Sequence, residues 1–159
     1  MSLSLSATSR RLDAFAGRWT MYRLTVVLLL VMTAWSFALS VAGQLFYTPA
    51  ELAATAATAV VSSLVASRVM GLLFRTRPQT DSSLITGLLL FFLFWPSTEG
   101  GQLLTVALAA GAATASKYLL VWRKRHIFNP AAVGAFVMGL TGLTAPVWWV
   151  AAPLMLVAV

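Results

Sequence analysis

One stretch decides the fold of this protein: Lys117-Tyr-Leu-Leu-Val-Trp-Arg-Lys-Arg-His126-Ile-Phe-Asn129-Pro130-Ala-Ala-Val-Gly134. It connects two long apolar segments and gathers four cationic or titratable side chains at residues 123–126, and its Asn-Pro pair then restarts the apolar run. In a chain that crosses a bilayer, a basic connection of this kind indicates the side of the membrane on which the loop lies.

The composition places the chain among membrane proteins. Its 159 residues are 60% hydrophobic and only 9% charged, and the apolar residues come in long blocks. A soluble domain of this length has too few interior positions for so many apolar side chains, because its surface is large relative to its volume. A helix in a bilayer can expose apolar side chains on every face while it satisfies its own backbone hydrogen bonds. We therefore predict an all-α, polytopic helical membrane protein.

The apolar blocks give the number of membrane spans. A helix needs roughly 20 apolar residues to cross the hydrocarbon core. The sequence predicts about five transmembrane helices on this criterion, near residues 24–45, 51–74, 84–95, 103–122 and 131–145. The apolar tail 147–159 is too short to cross as a helix. Residues 21–159 are thus expected to form a transmembrane domain, preceded by a Ser- and Arg-rich cytoplasmic arm at residues 1–20.

The basic residues orient these spans. Lys and Arg precede the first span and occupy the connections after the second and fourth, whereas the connections 46–50 and 96–102 contain neither. This alternation obeys the positive-inside rule, so we expect a multi-pass protein of a bacterial-type inner (cell) membrane with its N-terminus in the cytoplasm. The net charge of +7 then indicates contact with anionic lipids of the bilayer rather than with nucleic acid.

The scarcity of reactive side chains excludes several kinds of chemistry. The chain has no cysteine, one histidine and four acidic residues. Disulfides, thiolate ligands and iron–sulfur clusters within this chain are therefore excluded. A three-ligand zinc site or an enclosed catalytic triad is very hard to build from the residues that are left. We expect no metal site and no stand-alone hydrolytic activity.

The start of the third span is the first candidate site, with Asp81, Ser82, Ser83, Thr86 and Gly87. The first three residues are natural N-caps of a helix, and the carboxylate is favourable near the positive end of the helix dipole. The same residues also suit a half-helix that enters only part of the membrane and offers backbone amides and hydroxyls to a ligand. The sequence leaves both interpretations open.

A second candidate site surrounds the start of the fifth span. Asn129 and Pro130 suit the N-cap and the first turn of a helix, but a carboxamide can also bind the imide edge of a flavin ring. His126 suits a position beside lipid headgroups, and could alternatively tune a cofactor or relay a proton. Arg68 and Lys117 lie inside the ends of the second and fourth spans. Snorkelling explains both cations, and holding a phosphate or a ring anion is the alternative.

Several of these motifs together resemble a known family. Asp81-Ser-Ser-Leu-Ile-Thr-Gly-Leu-Leu-Leu90, then Pro96 at the far membrane face, then Lys117 on a small-residue helix, then Asn129-Pro-Ala-Ala-Val-Gly134 follow one another in this order. This order and spacing resembles the membrane subunits shared by the Rnf electron transport complex (its D subunit) and the sodium-translocating NADH:quinone oxidoreductase (its B subunit). The resemblance covers the chain from about Arg75 to Gly134.

The resemblance implies a fold and a function. In that family, two inverted five-helix repeats form a ten-helix bundle, and this chain would be the first repeat, as a fragment or a half-length relative. The protein would then be a membrane subunit of a flavin-dependent electron-transport complex that couples electron transfer to sodium or proton translocation. Its partners would be the other membrane subunits of the redox complex, the lipid bilayer and a second half-bundle.

The resemblance also implies the cofactor, FMN or riboflavin. The family attaches FMN covalently to a Thr in a Ser-Gly-Ala-Thr type motif after the fifth span, and this chain has none up to Val159. The flavin is therefore expected to bind without a covalent link. Residues 121–126 also stand where the family has a glycine-rich stretch. The expected cofactor-binding residues are Asp81, Ser82, Ser83, Thr86, Gly87, Lys117, His126, Asn129 and Pro130.

Two other functions remain open on the sequence. The same polar helix starts suit a small-solute transporter or a channel half-bundle without a redox cofactor. A non-catalytic membrane anchor could also dock a soluble reductase through the cations at residues 123–126.

Overall fold

A computed structural model describes residues 21–122, 125–126, 128–151 and 153–158. In this part the chain forms five α-helices: α1 (Met21–Val41), α2 (Pro49–Leu73), α3 (Thr80–Leu93), α4 (Gly100–Leu119) and α5 (Pro130–Thr141). Between α4 and α5, β1 (Val121–Trp122) and β2 (Arg125–His126) form a short antiparallel pair. A 3-10 helix, Pro153–Ala158, follows α5. The predicted helical fold is confirmed, whereas the predicted arm at residues 1–20 lies outside the described residues.

Two of the described helices are long and apolar enough to cross a membrane. These are α1 with 21 residues and α2 with 25 residues, and only 22% of the most apolar window of each is buried inside the protein. The exposed remainder is rich in Leu and Val, as a lipid-facing surface requires. Helices α3 and α5 have 14 and 12 residues, which correspond to about 21 and 18 Å. Both are shorter than the hydrocarbon core of about 30 Å, so the prediction of five spans stays a prediction.

The start of α2 is fixed by its own side chains. Pro49 occupies the first turn, and Thr48 and Glu51 form a capping box. The backbone amide of Thr48 donates to Glu51 Oε2 at 2.7 Å, and the amide of Glu51 donates to Thr48 Oγ1 at 3.3 Å. A capping box satisfies amides that a helix start leaves without partners. For this reason, α2 begins at Pro49, slightly before the predicted residue 51.

Small residues let the central helices approach closely. A Cβ atom added at Gly87 of α3 would lie 2.7 Å from the Cα atom of Val60 on α2. A Cβ atom at Gly134 of α5 would collide with the carbonyl oxygen of Ala109 on α4. Helix α4 thereby packs between α2 and α5. Close packing at glycine and alanine is the ordinary mode of helix association in membranes.

Helix α3 ends against a segment that follows α5. The amide of Val147 donates to the carbonyl of Leu93 at 2.8 Å, and Trp149 Nε1 donates to the carbonyl of Phe91 at 2.9 Å. Both carbonyls belong to the last turn of α3. The carbonyl groups of a last turn have no amide donor within the helix itself. Residues beyond α5 therefore complete the hydrogen bonding of α3.

Five rings surround this helix end, and we call them the aromatic cluster: Tyr47, Phe91, Phe92, Trp95 and Trp149. The ring centroid of Trp149 lies 5.3 Å from that of Phe91 and 5.5 Å from that of Tyr47. Such tilted and edge-to-face pairs are the favourable arrangement of aromatic rings. Burial, and then the charge of Glu51, raises the pKa of the Tyr47 hydroxyl above its usual value. Phe91, Phe92 and Trp149 of this cluster belong to the buried core, whereas Trp95 lies at its exposed edge.

Helix α5 ends earlier than the sequence suggested. It stops at Thr141 rather than near residue 145, because Gly142 adopts a left-handed backbone with φ of 68°. Glycine adopts this conformation without a steric penalty and terminates helices in this way. Pro146 therefore lies outside α5 and neither kinks nor ends it.

Candidate functional site

The side chain of Lys117 is directed into the protein near the C-terminal end of α4. Its Nζ donates to the carbonyl oxygen of Ser82 at 3.0 Å and to the hydroxyl of Ser82 at 3.1 Å. Ser82 lies in the first turn of α3, and its carbonyl also accepts a hydrogen bond from Thr86 Oγ1 at 2.9 Å. A cation from one helix thus binds the start of another, which brings together two of the predicted cofactor-binding residues.

This contact borders a cavity of about 220 Å³, which we call the polar cavity. Its walls contain two cations, Arg77 and Lys117, and among the described residues that line it there is no carboxylate. The remaining lining residues are mostly hydroxyl or amide side chains: Ser67, Thr76, Gln79, Ser82, Ser83 and Tyr118, with Pro78 beside them. The cavity therefore offers hydrogen-bond donors and positive charge to a small anion.

The two cations inside the ends of α2 and α4 differ in environment. Arg68 is exposed, which agrees with a snorkelling side chain on the surface of α2. Lys117 is half-buried and is held by Ser82. Snorkelling therefore accounts for Arg68 and does not account for Lys117.

Asp81 lies beside the polar cavity but not in its wall. It lines a neighbouring cavity of about 430 Å³ together with Tyr22, Gln79 and Thr80. As an acid in the first turn of α3, it interacts favourably with the positive end of the helix dipole. Asp81 and Ser82 therefore face two different cavities from the same turn.

The start of α3 differs from the prediction that Asp81, Ser82 and Ser83 cap the helix. The helix begins at Thr80, with Gln79 at the N-cap and no side-chain hydrogen bond from that residue. Ser83 Oγ instead donates to the carbonyl of Gln79 at 3.2 Å, within the first turn. The capping prediction is wrong because the helix extends several residues before its apolar run begins.

Thr86 and Gly87 have structural roles within the bundle. Thr86 is buried and uses its hydroxyl to bind the carbonyl one turn earlier. Gly87 allows the backbones of α3 and α2 to touch. Neither residue lines the polar cavity, so helix packing accounts for both.

Asn129 and Pro130 form the start of α5. Asn129 Oδ1 accepts a hydrogen bond from the amide of Ala131 at 3.0 Å, and Pro130 occupies the first turn. The capping interpretation of Asn129 is therefore confirmed. Asn129 also lies at a groove of about 500 Å³, which we call the apolar groove; its other lining residues are Leu120, Phe128, Ala132, Val133, Phe136 and Val137.

The predicted site residues thus divide between separate cavities. Ser82, Ser83 and Lys117 meet at the polar cavity, whereas Asn129 lines the apolar groove. The backbone of His126 belongs to β2, and its side chain lies outside the described residues. Arg123 and Lys124 of the predicted docking patch also lie outside them.

The starts of α3 and α5 nevertheless lie at the same end of α4. The Lys117–Ser82 contact joins the start of α3 to the last turn of α4. Gly134, near the start of α5, packs on Ala109 and Ala113 in the second half of α4. Phe74, just after α2, stacks on Tyr118 with ring centroids 5.3 Å apart. We call the region formed by the end of α2, the start of α3, the end of α4 and the start of α5 the basic end; it includes Arg75 and Arg77.

Sequence reasoning missed several residues of the polar cavity, chiefly Ser67, Thr76, Arg77 and Tyr118. A signal for Ser67 was present. Apart from Leu52, the buried residues of α2 recur every four positions as small or hydroxyl side chains: Thr55, Ala59, Ser63, Ser67 and Gly71. This spacing places them on one helix face, so the stripe could have been assigned to the interior.

Comparisons with known proteins add no assignment: no protein-family model, curated protein or solved structure matches this chain. The resemblance to the Rnf and sodium-translocating oxidoreductase subunits therefore stays a prediction that rests on the quoted motifs. Within the described part of the chain, no group of three or more His, Asp or Glu side chains could hold a metal ion.

Proposed function

We propose that this chain is a membrane subunit of a flavin-dependent electron-transport complex that couples electron transfer to ion translocation. The observation that carries the proposal is the apolar groove at the basic end, with Asn129 in its wall. The groove measures about 500 Å³, within the range of about 300–1,000 Å³ for pockets that hold drug-sized ligands. The polar cavity of about 220 Å³ is below that range.

The lining of the apolar groove suits an isoalloxazine ring. Phe128 and Phe136 provide exposed aromatic surface, against which a planar ring can stack. Asn129 uses its Oδ1 to cap α5, which directs the remaining amide NH₂ to other acceptors, and a flavin carbonyl is such an acceptor. These residues would bind and orient the ring and keep water from one of its faces.

A bound flavin would supply one- and two-electron transfer chemistry. The part played by this chain would be to hold the cofactor near the membrane surface, in a groove that is open on one side. An open groove agrees with partner subunits, or a second half-bundle, that cover the ring in the assembled complex. The basic residues at this end support a location on the cytoplasmic side of a bacterial-type cell membrane.

A second candidate function is a half-bundle of a small-solute transporter or channel, and one observation favours it. The hydroxyls of Ser63 on α2 and Thr114 on α4 are buried and have no hydrogen-bond partner among the described residues. Buried hydroxyls without protein partners are costly in a dry interior, and they are satisfied where water or a polar solute passes. The short helix α3 is also typical of the broken helices of transporters.

The flavin proposal is tested by the cofactor content of two variants at one position. The protein is extracted gently with its native partners, and flavin is measured by fluorescence and native mass spectrometry. Asn129→Ser keeps a good N-cap for α5 but removes the carboxamide. Asn129→Ala removes the N-cap and the carboxamide together. We expect flavin and partner subunits with the wild type, and a loss of flavin in both variants.

The stability of α5 provides the control in the same experiment. Asn129→Ser should leave the melting temperature close to that of the wild type, whereas Asn129→Ala should lower it. A wild-type complex with all its partners but without flavin would contradict the proposal. A flavin-free oligomer that moves a solute would support the transporter instead.

A further inference from the structure

The geometry points to the polar cavity as a binding site for a phosphate group, supplied by the headgroup of an anionic phospholipid or by free phosphate. This inference concerns Lys117, Arg77 and Ser82 and does not rest on the flavin proposal. It goes beyond that proposal because it assigns a different ligand to a different cavity.

The charge of Lys117 is the first reason. Both of its hydrogen-bond partners in the described part of the chain are neutral oxygens of Ser82. A half-buried ammonium group that meets only neutral oxygens keeps an uncompensated charge, and the free-energy cost of such a charge falls when an anion binds beside it. A phosphate in the polar cavity would provide that anion.

The donors around the cavity are the second reason. Arg77 brings a planar guanidinium with five N–H donors, which matches two phosphate oxygens at once. Ser82 and Ser83 add hydroxyls from the first turn of α3. The N-cap residue Gln79 makes no side-chain hydrogen bond to this turn. The first amides of α3, at the positive end of the helix dipole, are therefore available to an anion.

The one carboxylate in this turn does not occupy the cavity. Asp81 lines the neighbouring cavity with Tyr22, and the described lining of the polar cavity carries two cations and no acid. The local charge is therefore positive on the side of α3 that faces Lys117. An oxyanion, rather than a metal ion or a neutral solute, is the ligand that this charge favours.

The size of the cavity limits the ligand to a small group. Its volume of about 220 Å³ lies below the range of about 300–1,000 Å³ for drug-sized ligands. A phosphate group therefore fits, whereas a whole nucleotide does not. A phospholipid can place its headgroup phosphate here and leave its acyl chains outside, because the cavity is open at the end of the bundle.

The test compares lipid and phosphate binding in the full chain. Native mass spectrometry measures the retention of phosphatidylglycerol after exchange from nanodiscs that contain it into a neutral detergent. The melting temperature of lipid-free protein is measured with and without inorganic phosphate. Lys117→Gln removes the inward cation, and Arg68→Gln removes an exposed cation near the end of α2 as a matched control.

We expect the wild type and Arg68→Gln to bind alike, and Lys117→Gln to lose about tenfold or more in affinity, since a charge-assisted hydrogen bond is removed. Binding of phosphatidylglycerol alone would identify a lipid headgroup as the ligand, and protection by inorganic phosphate would identify free phosphate. Both outcomes support the site.

Three results would overturn the inference. These are the absence of binding to either probe, unchanged binding in Lys117→Gln, and an equal loss in Arg68→Gln, which would indicate attraction to surface charge alone. If Lys117→Gln does not fold, Arg77→Gln replaces it, because Arg77 is exposed and its removal leaves the Lys117–Ser82 contact intact. Unchanged binding in Arg77→Gln would then count against the site.

Discussion

The two ends of α3 differ in environment: the C-terminal end is buried among aromatic rings, and the N-terminal start borders a polar cavity. Its end is enclosed by the aromatic cluster, and the side chains of Phe91 and Phe92 are 0% exposed. Its start borders the polar cavity and binds Lys117 through Ser82. At the end, unpaired carbonyls are satisfied from within the chain by Val147 and Trp149. At the start, two cations line a cavity that remains open.

This difference separates stability from binding. Buried rings and completed hydrogen bonds stabilise a fold, and they leave no unpaired polar group to which a ligand could bind. A cation held by neutral oxygens beside a cavity stabilises the fold little, because its desolvation opposes its hydrogen bonds. We therefore expect substitutions at the aromatic end to change stability most, and substitutions at the polar start to change binding most.

The largest effect is expected for Trp149→Ala at the aromatic end. The substitution removes a buried ring and the hydrogen bond to the carbonyl of Phe91, and it should lower the free energy of unfolding by about 3–5 kcal/mol. Reversible unfolding in mixed micelles measures this value. Phe46→Ala is the control, because Phe46 lies in an exposed position nearby. Equal losses in the two variants would contradict a stabilising role for the cluster.

Gly87→Ala should have the next largest effect, at the middle of α3. The new methyl group would meet the backbone of Val60 at 2.7 Å, and overpacking of this kind costs about 1–3 kcal/mol. Gly111→Ala is the matched control, since no atom lies within 4 Å of a Cβ atom added there. The same unfolding assay should show no loss in the control. If the Gly87→Ala protein is stable but has lost flavin, Gly87 contributes to cofactor binding rather than to helix packing.

A smaller difference in the free energy of unfolding is expected between substitutions of two buried hydroxyls on α2. Thr55 Oγ1 accepts from the amide of Ser97 at 2.9 Å and donates to its carbonyl at 3.1 Å, whereas Ser63 Oγ has no partner in the described part of the chain. Thr55→Val should cost about 1–2 kcal/mol, because it leaves both backbone groups unsatisfied. Ser63→Ala should cost less than half as much in parallel unfolding measurements. A larger loss for Ser63→Ala would reveal a partner for that hydroxyl.

The smallest change in stability is expected for Lys117→Met at the polar start. Methionine keeps the length of the side chain and removes the charge, so the free energy of unfolding should change by no more than about 1 kcal/mol. The retention of phosphatidylglycerol should nevertheless fall, as measured by native mass spectrometry. A loss of stability as large as that of Trp149→Ala would mean that Lys117 is mainly structural.

The sequence was sufficient to predict the helical fold because long apolar blocks have few alternatives. Of the predicted cofactor-binding residues, Lys117, Ser82 and Ser83 do lie at one cavity, at the ends of neighbouring helices. Helix boundaries were less accurate at Thr80 and Gly142. There, the termination of a helix depends on backbone conformation and on hydrogen bonds between side chain and backbone, which apolar runs do not reveal.

The division of the candidate site could not be read from the sequence. Asn129 and Ser82 belong to helix starts at the same end of α4, and the sequence therefore suggested one site. Their separation depends on how α5 packs against α4 and how α3 packs against α2, where Gly134 and Gly87 make the close contacts. Such contacts join residues far apart in the chain and leave no periodic signal.

The most direct test of the whole account is the side of the membrane on which each end of α3 lies. The chain has no cysteine, so Gln79→Cys reports on the polar start and Phe46→Cys on the opposite end. Each variant is treated with a membrane-impermeant thiol reagent in right-side-out and inverted vesicles. The account predicts labelling of Gln79→Cys only in inverted vesicles and of Phe46→Cys only in right-side-out vesicles. Labelling of both positions from the same side would contradict it.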